Sequence, residues 1–140
     1  IVGGASAQVE QQLAEYGMHL GTAFQLIDDV LDYSSSEAET GKHLGDDLAE
    51  GKPTLPLIYV MQHGTPEQSA CVRQAIEHGG REDFPHVLAA IRATGALAHA
   101  QQQGAAEVAL AKNAIDGILP ASPYKNSLLE LASFAAQRSF

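Results

Sequence analysis

Residues 8–33 read QVEQQLAEYGMHLGTAFQLIDDVLDY, and their apolar positions decide the fold class. Val9, Leu13, Tyr16, Leu20, Phe24, Ile27 and Leu31 recur at spacings of four and three, the repeat that lines one face of an α-helix. The spacing predicts a helix from about Gln8 to Tyr33. Gly17 and Gly21 fall one turn apart inside it. A glycine there costs about 1 kcal/mol against alanine, so close approach of a second helix or of a ligand is expected to compensate, with helix packing the expectation at Gly17.

Beyond this helix the periodicity breaks. Ser34, Ser35, Ser36, Gly41, Gly45, Gly51 and Pro53 favour an irregular segment over residues 34–53. A loop of that length inside a compact domain is expected to carry function. The apolar run Leu55 to Val60 is short enough to be a strand, but its neighbours assign it to a helix. In Thr65-Pro66-Glu67-Gln68, Thr65 can cap, Pro66 suits the first helical position and Gln68 closes a capping box, with Gly79 ending that helix. Asp83 is expected to cap a short helix reaching Gly95. The Ala-rich stretch from Ala96 to Leu119 sets Val108, Ala111, Ile115 and Ile118 on one face before Pro120 stops it, and Ser122-Pro123 opens a last helix. No convincing alternation of apolar and polar residues and no fixed repeat occurs, so the fold class is all-α.

Composition removes several functions. The 140 residues are 45% hydrophobic, enough for one core, and nothing in the length argues for two domains. Acidic side chains number 17 against 8 basic ones, and the net charge of −9 repels a phosphate backbone, so no nucleic-acid partner is expected. Cys71, the one cysteine, builds neither an internal disulfide nor a zinc cluster and suits a reducing compartment. No transmembrane segment and no secretory signal is read, which points to the cytoplasm. Ile1-Val2-Gly3-Gly4 copies the processed N-terminus of trypsin-like proteases, but the length, cysteines and Gly-Asp-Ser-Gly segment of such enzymes are missing. A chain starting at Ile1 instead of Met is read as truncated or cleaved.

The chemistry gathers at the end of the first helix. Gln25, Asp28 and Asp32 share a face by their spacings of three and four, with Asp29 beside them. Two unit charges about 6 Å apart repel by about 0.7 kcal/mol in water and by nearer 3 kcal/mol at an effective dielectric of about 20, so in a cleft the cluster needs a cation. The helix dipole disfavours negative charge at that end, so helix stability does not explain it. Oxygen-only ligands on a rigid helix suit Mg²⁺, which takes one or two carboxylates, keeps waters and completes its octahedron with phosphate. Two of the few cations, Lys42 and Lys52, follow in the loop, each behind a glycine that lets backbone approach an anion.

Residues 21–56, including Gln25-Leu26-Ile27-Asp28-Asp29-Val30-Leu31-Asp32-Tyr33, Thr40-Gly41-Lys42, Gly45-Asp46-Asp47 and Glu50-Gly51-Lys52-Pro53-Thr54-Leu55-Pro56, resemble the second aspartate-rich region of the trans-prenyltransferases. The remaining helices resemble the long-chain members that make octaprenyl diphosphate for quinone side chains. The resemblance implies a helical bundle of the isoprenoid synthase type, of which residues 1–140 are the C-terminal portion. Asp28 is implied as a ligand of Mg²⁺, with Asp29 and Asp32 completing the metal site through waters. Lys42 and Lys52 are implied to contact diphosphate, Gln25 to lie beside the allylic diphosphate, Phe24 to pack near the homoallylic substrate, and Asp47 to position a lysine. Substrates are then isopentenyl diphosphate and an allylic prenyl diphosphate, and the assembly a homodimer. Departure of the diphosphate leaves an allylic cation, the double bond of isopentenyl diphosphate attacks it, and a proton is lost.

The family's first aspartate-rich motif and its basic residues for isopentenyl diphosphate are missing from this sequence, so the chain alone is expected to be inactive. The alternative reading is a non-catalytic helical partner subunit of a heteromeric enzyme. A di-iron carboxylate bundle needs Glu-x-x-His pairs, and the sequence contains none.

Overall fold

The computed structural model describes residues 3–34, 45–79 and 81–137, and among these every regular element is a helix. The order is α1 (Ala7–Ser34), α2 (Asp46–Ala49), α3 (Leu55–His63), α4 (Pro66–His78), a 3₁₀ turn (Arg81–Asp83), α5 (Phe84–Thr94), α6 (Ala96–Asp116) and α7 (Pro123–Gln137). The first helix therefore exceeds its predicted span by one residue at each end. The expected loop over 34–53 is corrected in part, because residues 46–49 form α2 inside it, while residues 35–44, with Lys42 among them, lie outside the described residues.

The described residues divide into two compact units, one holding the chain up to Ile27 and from Gln102 on, the other holding Asp28–Gln101. In the first unit Tyr16, Ala23, Val108, Ala111, Ala114, Ile115 and Ala132 form a buried cluster. Four of these seven are alanines, and Gly104 continues the theme: a Cβ added there would meet Ile27 Cδ1 at 3.0 Å. The helices approach closely because the side chains between them are short. Polar ties fix the arrangement, with Tyr16 Oη donating to the Leu128 carbonyl at 2.8 Å and His19 Nδ1 lying 2.7 Å from Glu107 Oε2. Lys125 Nζ donates to the Asp116 carbonyl, which α6 leaves open at its end, and to the Leu119 carbonyl beyond it.

In the second unit α3, α4 and α5 pack on one another and α2 packs on α4. The core is made of larger side chains: Tyr33, Leu48, Leu57, Val60, Val72, Val87 and Ile91. Local signals bound these helices as the sequence predicts. Thr65 and Gln68 form the capping box, with Gln68 N–H donating to Thr65 Oγ1 at 3.3 Å and Thr65 N–H to Gln68 Oε1 at 2.8 Å. Gly79 and Gly95 close α4 and α5 in the left-handed conformation.

Three expectations change. Among the described residues Gly17 and Gly21 meet no second helix, since a Cβ at either would touch nothing within 4 Å. Asp83 stands at the cap position of α5 but makes no side-chain cap bond; the 3₁₀ turn carries the chain into the helix instead. The Ala-rich helix ends at Asp116, and Gly117 and Ile118 form a turn, because Lys125 takes up the terminal carbonyls there.

Candidate functional site

The last turns of α1 carry Phe24 and Gln25, both exposed, then the half-buried Asp28, the buried Asp29 and the half-buried Asp32. Successive residues on a helix turn by about 100°, so Asp29 leaves the face shared by Asp28 and Asp32 and is 8% exposed. Among the described residues no three His, Cys, Asp or Glu side chains gather closely enough to hold a metal ion.

What the fold does bring together is Asp32, Asp47 and Lys52. Gly45 N–H donates to the Asp32 carbonyl at 3.3 Å, which returns the chain onto the end of α1. Gly45 adopts φ of 78°, and a Cβ there would lie 2.4 Å from the Phe84 ring, so only glycine makes this return. α2 follows at once and brings Asp46 and Asp47 near the Asp32 carboxylate. Asp32 Oδ2 is out of solvent and has no hydrogen-bond partner among the described residues. Burial, and then the nearby charge of Asp47, raise the Asp32 carboxyl to about 6 against an ordinary value of 3.8.

Lys52 stands between two carboxylates, its Nζ 2.6 Å from Glu50 Oε2 and 2.9 Å from Asp47 Oδ1. Glu50 first, and Asp47 second, raise its pKa further above the ordinary lysine range. Lys52 N–H also donates to the Asp47 carbonyl at 2.9 Å, so one residue holds the lysine by backbone and side chain. Beneath them Tyr33 is 2% exposed, with its hydroxyl 3.4 Å from Thr54 Oγ1 and its ring stacked on Phe84. Burial pushes the Tyr33 phenol well above its usual range, so it stays neutral and serves as a support.

Sequence reading assigned no role to Glu50, Tyr33 or Thr54. Glu50 carried a signal, an acidic residue two places before Lys52 in a glycine-bounded turn. Tyr33 and Thr54 carried none, because their meeting depends on the chain returning to α1.

The donor chemistry fits a hard divalent cation at Asp28, a half-buried carboxylate on the face of α1 that carries Gln25 one turn earlier. Asp29 and Asp32 are turned into the fold and fit that role less well.

The sequence pattern of the polyprenyl synthetase family matches residues 1–93. An octaprenyl diphosphate synthase of Haemophilus influenzae is 49% identical over 141 residues, covering 100% of this chain and 42% of that protein. Its counterpart in Escherichia coli is 48% identical over 139 residues, covering 99% and 43%. Among solved structures, a polyprenyl synthase of Caulobacter crescentus complexed with calcium and isoprenyl diphosphate superposes with a TM-score of 0.84 at 36% identity, over 96% of this chain and 42% of its own. A geranylgeranyl pyrophosphate synthase of Corynebacterium glutamicum complexed with isoprenyl diphosphate and magnesium gives 0.84 at 32% identity, over 97% and 39%. The chain thus spans about two fifths of the length of the relatives it matches.

Proposed function

We propose a function from one premise: the chain belongs to the polyprenyl synthetase family. Residues 1–140 are the C-terminal portion of one trans-prenyltransferase domain, and the whole enzyme condenses isopentenyl diphosphate with an allylic prenyl diphosphate. Its product is a long chain of the octaprenyl kind, for quinone side chains, and it works as a cytoplasmic homodimer. The identities of 49% and 48% to two octaprenyl diphosphate synthases support the long-chain reading. The relatives named above are all synthases, which favours an enzyme over a non-catalytic partner subunit.

One observation carries the site: the return of Gly45 onto the end of α1, which leads the chain into α2 and the Asp47–Lys52 ion pair. Asp28 is the residue that would hold Mg²⁺, with Asp29 assisting through water. The metal, when bound, neutralises charge on the departing diphosphate. The chain's own residues do the rest. Lys52 donates to diphosphate oxygens, exchanging the Glu50 and Asp47 carboxylates for the substrate, and Lys42, outside the described residues, is assigned the same role. Gln25 offers its amide to the allylic diphosphate, and the exposed ring of Phe24 packs near the homoallylic substrate.

The test is calorimetry on the full-length protein with Mg²⁺ and inorganic diphosphate together and apart. Mg²⁺ is expected to bind weakly alone and much better with diphosphate, and Asp28→Ala to lose that coupling. If Asp28→Ala binds both as the parent does, the metal assignment is wrong. Lys52→Ala is expected to lower kcat by about 100-fold to 1,000-fold, the cost of removing one well-placed donor to developing charge.

A further inference from the structure

We infer that Glu50 is a competing counter-ion of Lys52: its carboxylate holds the ammonium that diphosphate takes, gives it up when diphosphate binds and takes it back when diphosphate leaves. The inference deepens the proposed function and rests on its reading of Lys52 as a diphosphate contact.

The turn that carries these residues has a bonded backbone. Glu50 N–H donates to the Asp46 carbonyl at 3.0 Å, Gly51 N–H to the Leu48 carbonyl at 3.0 Å and Lys52 N–H to the Asp47 carbonyl at 2.9 Å. Gly51 adopts φ of 70°, and a Cβ there would lie 3.1 Å from the Ile76 carbonyl oxygen, so the turn also lies close against α4. What can move is the side chains, and here the two carboxylates on the Lys52 ammonium differ. Asp47 Oδ1 stands 2.9 Å from Nζ on a side chain only 19% exposed, and its carbonyl keeps the Lys52 backbone wherever the ammonium turns. Glu50 Oε2 stands 2.6 Å from Nζ, but its side chain is 62% exposed and among the described residues it reaches Lys52 through the ammonium alone. An ion pair this exposed is weak. Glu50 can therefore swing into water while Asp47 keeps Lys52 in place.

Charge points the same way. From Gly45 to Pro53 the sequence sets three acids, Asp46, Asp47 and Glu50, against the single cation Lys52. An incoming diphosphate meets a net negative turn unless a carboxylate withdraws from the lysine. The exposed one withdraws most easily. A synthase of this kind releases one diphosphate at every condensation, and a carboxylate that returns to Lys52 keeps the ammonium paired as that product departs.

Glu50→Gln, Lys52→Met and the double variant of the full-length protein form a cycle that tests the inference. Each is titrated by calorimetry with inorganic diphosphate at fixed Mg²⁺ and fixed ionic strength, since exposed pairs are screened by salt. Lys52→Met is expected to weaken diphosphate binding by about tenfold or more, the loss of one charge-assisted hydrogen bond. Glu50→Gln is expected to tighten it by about twofold to fivefold, the scale of one exposed ion pair. In the Lys52→Met background Glu50→Gln is expected to bring no gain, because no ammonium remains to compete for. A pair that only stabilises the turn gives the opposite sign, since its loss loosens Lys52 and weakens binding. The inference is overturned if Glu50→Gln weakens binding or leaves it unchanged while Lys52→Met weakens it. It is overturned equally if Glu50→Gln tightens binding by the same factor without Lys52, the mark of a general effect of one charge fewer. If Lys52→Met binds diphosphate as the parent does, the reading of Lys52 as a diphosphate contact falls, and the inference with it.

Discussion

The two units solve the same packing problem with opposite materials. In the first, the buried cluster leans on Ala23, Ala111, Ala114 and Ala132, with Gly104 against Ile27, so the helices close on one another over short side chains. In the second, Leu48, Leu57, Val60, Val72, Val87 and Ile91 are all fully buried, and shorter helices stand around them. The difference teaches where each unit is vulnerable. A core of large side chains is weakened by removing atoms, whereas a seam of alanines and glycines is weakened by adding them. It also bears on function, because the return of Gly45–Lys52 is built over the large-side-chain core, with Leu48 of α2 itself 0% exposed.

The largest expected effect is therefore a deletion in the second unit. Leu57→Ala should cost about 2–5 kcal/mol, the range for emptying a fully buried leucine site, read as a lowered urea midpoint with unchanged slope. The reverse substitution tests the first unit. Ala111, 0% exposed, has no room for a leucine, and Ala111→Leu should cost about 1–3 kcal/mol by overpacking. The contrast breaks if Ala111→Leu stabilises the protein.

The sequence made some of this legible and hid the rest for physical reasons. Helix ends governed by neighbours were readable: Thr65 and Gln68 meet because they lie three residues apart, and Gly79 and Gly95 end helices because glycine adopts positive φ without strain. The all-α class followed from periodicity for the same reason. Asp83 misled because position alone does not make a cap; the preceding 3₁₀ turn had already directed the chain. In the candidate site, the residues were legible but their grouping was not. Asp28, Asp29 and Asp32 read as one cluster, yet Asp29 is buried and the Asp32 carbonyl receives the Gly45 N–H, a contact that depends on the chain folding back. Glu50 passed unnoticed because its contact with Lys52 is a matter of turn geometry.

A titration sharpens the comparison at a smaller scale, since the second unit holds a partly buried carboxyl, Asp32, shifted upward by its burial. Asp32 is raised from 3.8 to about 6. A carboxyl with a higher pKa in the folded state binds its proton more tightly there, so its contribution is most favourable below the unfolded value and is lost as pH rises through the folded one. Stability of the metal-free protein is expected to fall on this account between about pH 4 and pH 6. Asp32→Asn has no proton to lose, so its urea midpoint should decline less over that window. The difference between the two profiles isolates Asp32 from other groups, and identical profiles would remove the buried charge from the explanation.

The smallest effect compares two glycines within the first unit. Gly17 lies inside α1 with open space where a Cβ would stand, whereas Gly104 lies inside α6 with Ile27 Cδ1 at 3.0 Å from that point. Both pay the same conformational cost of a glycine in a helix interior, about 1 kcal/mol against alanine. At Gly17 an added methyl meets nothing, so Gly17→Ala should recover most of that and stabilise the protein by about 0.5–1 kcal/mol. At Gly104 the same methyl crowds Ile27, whose side chain must turn aside, so the gain is offset and Gly104→Ala should fall below Gly17→Ala. The pair is measured by urea unfolding of both variants under one condition. An equal gain at the two positions would mean that the close approach at Gly104 carries no energetic weight, and the account of the first unit as a seam of small residues would fail at the position where it is most specific.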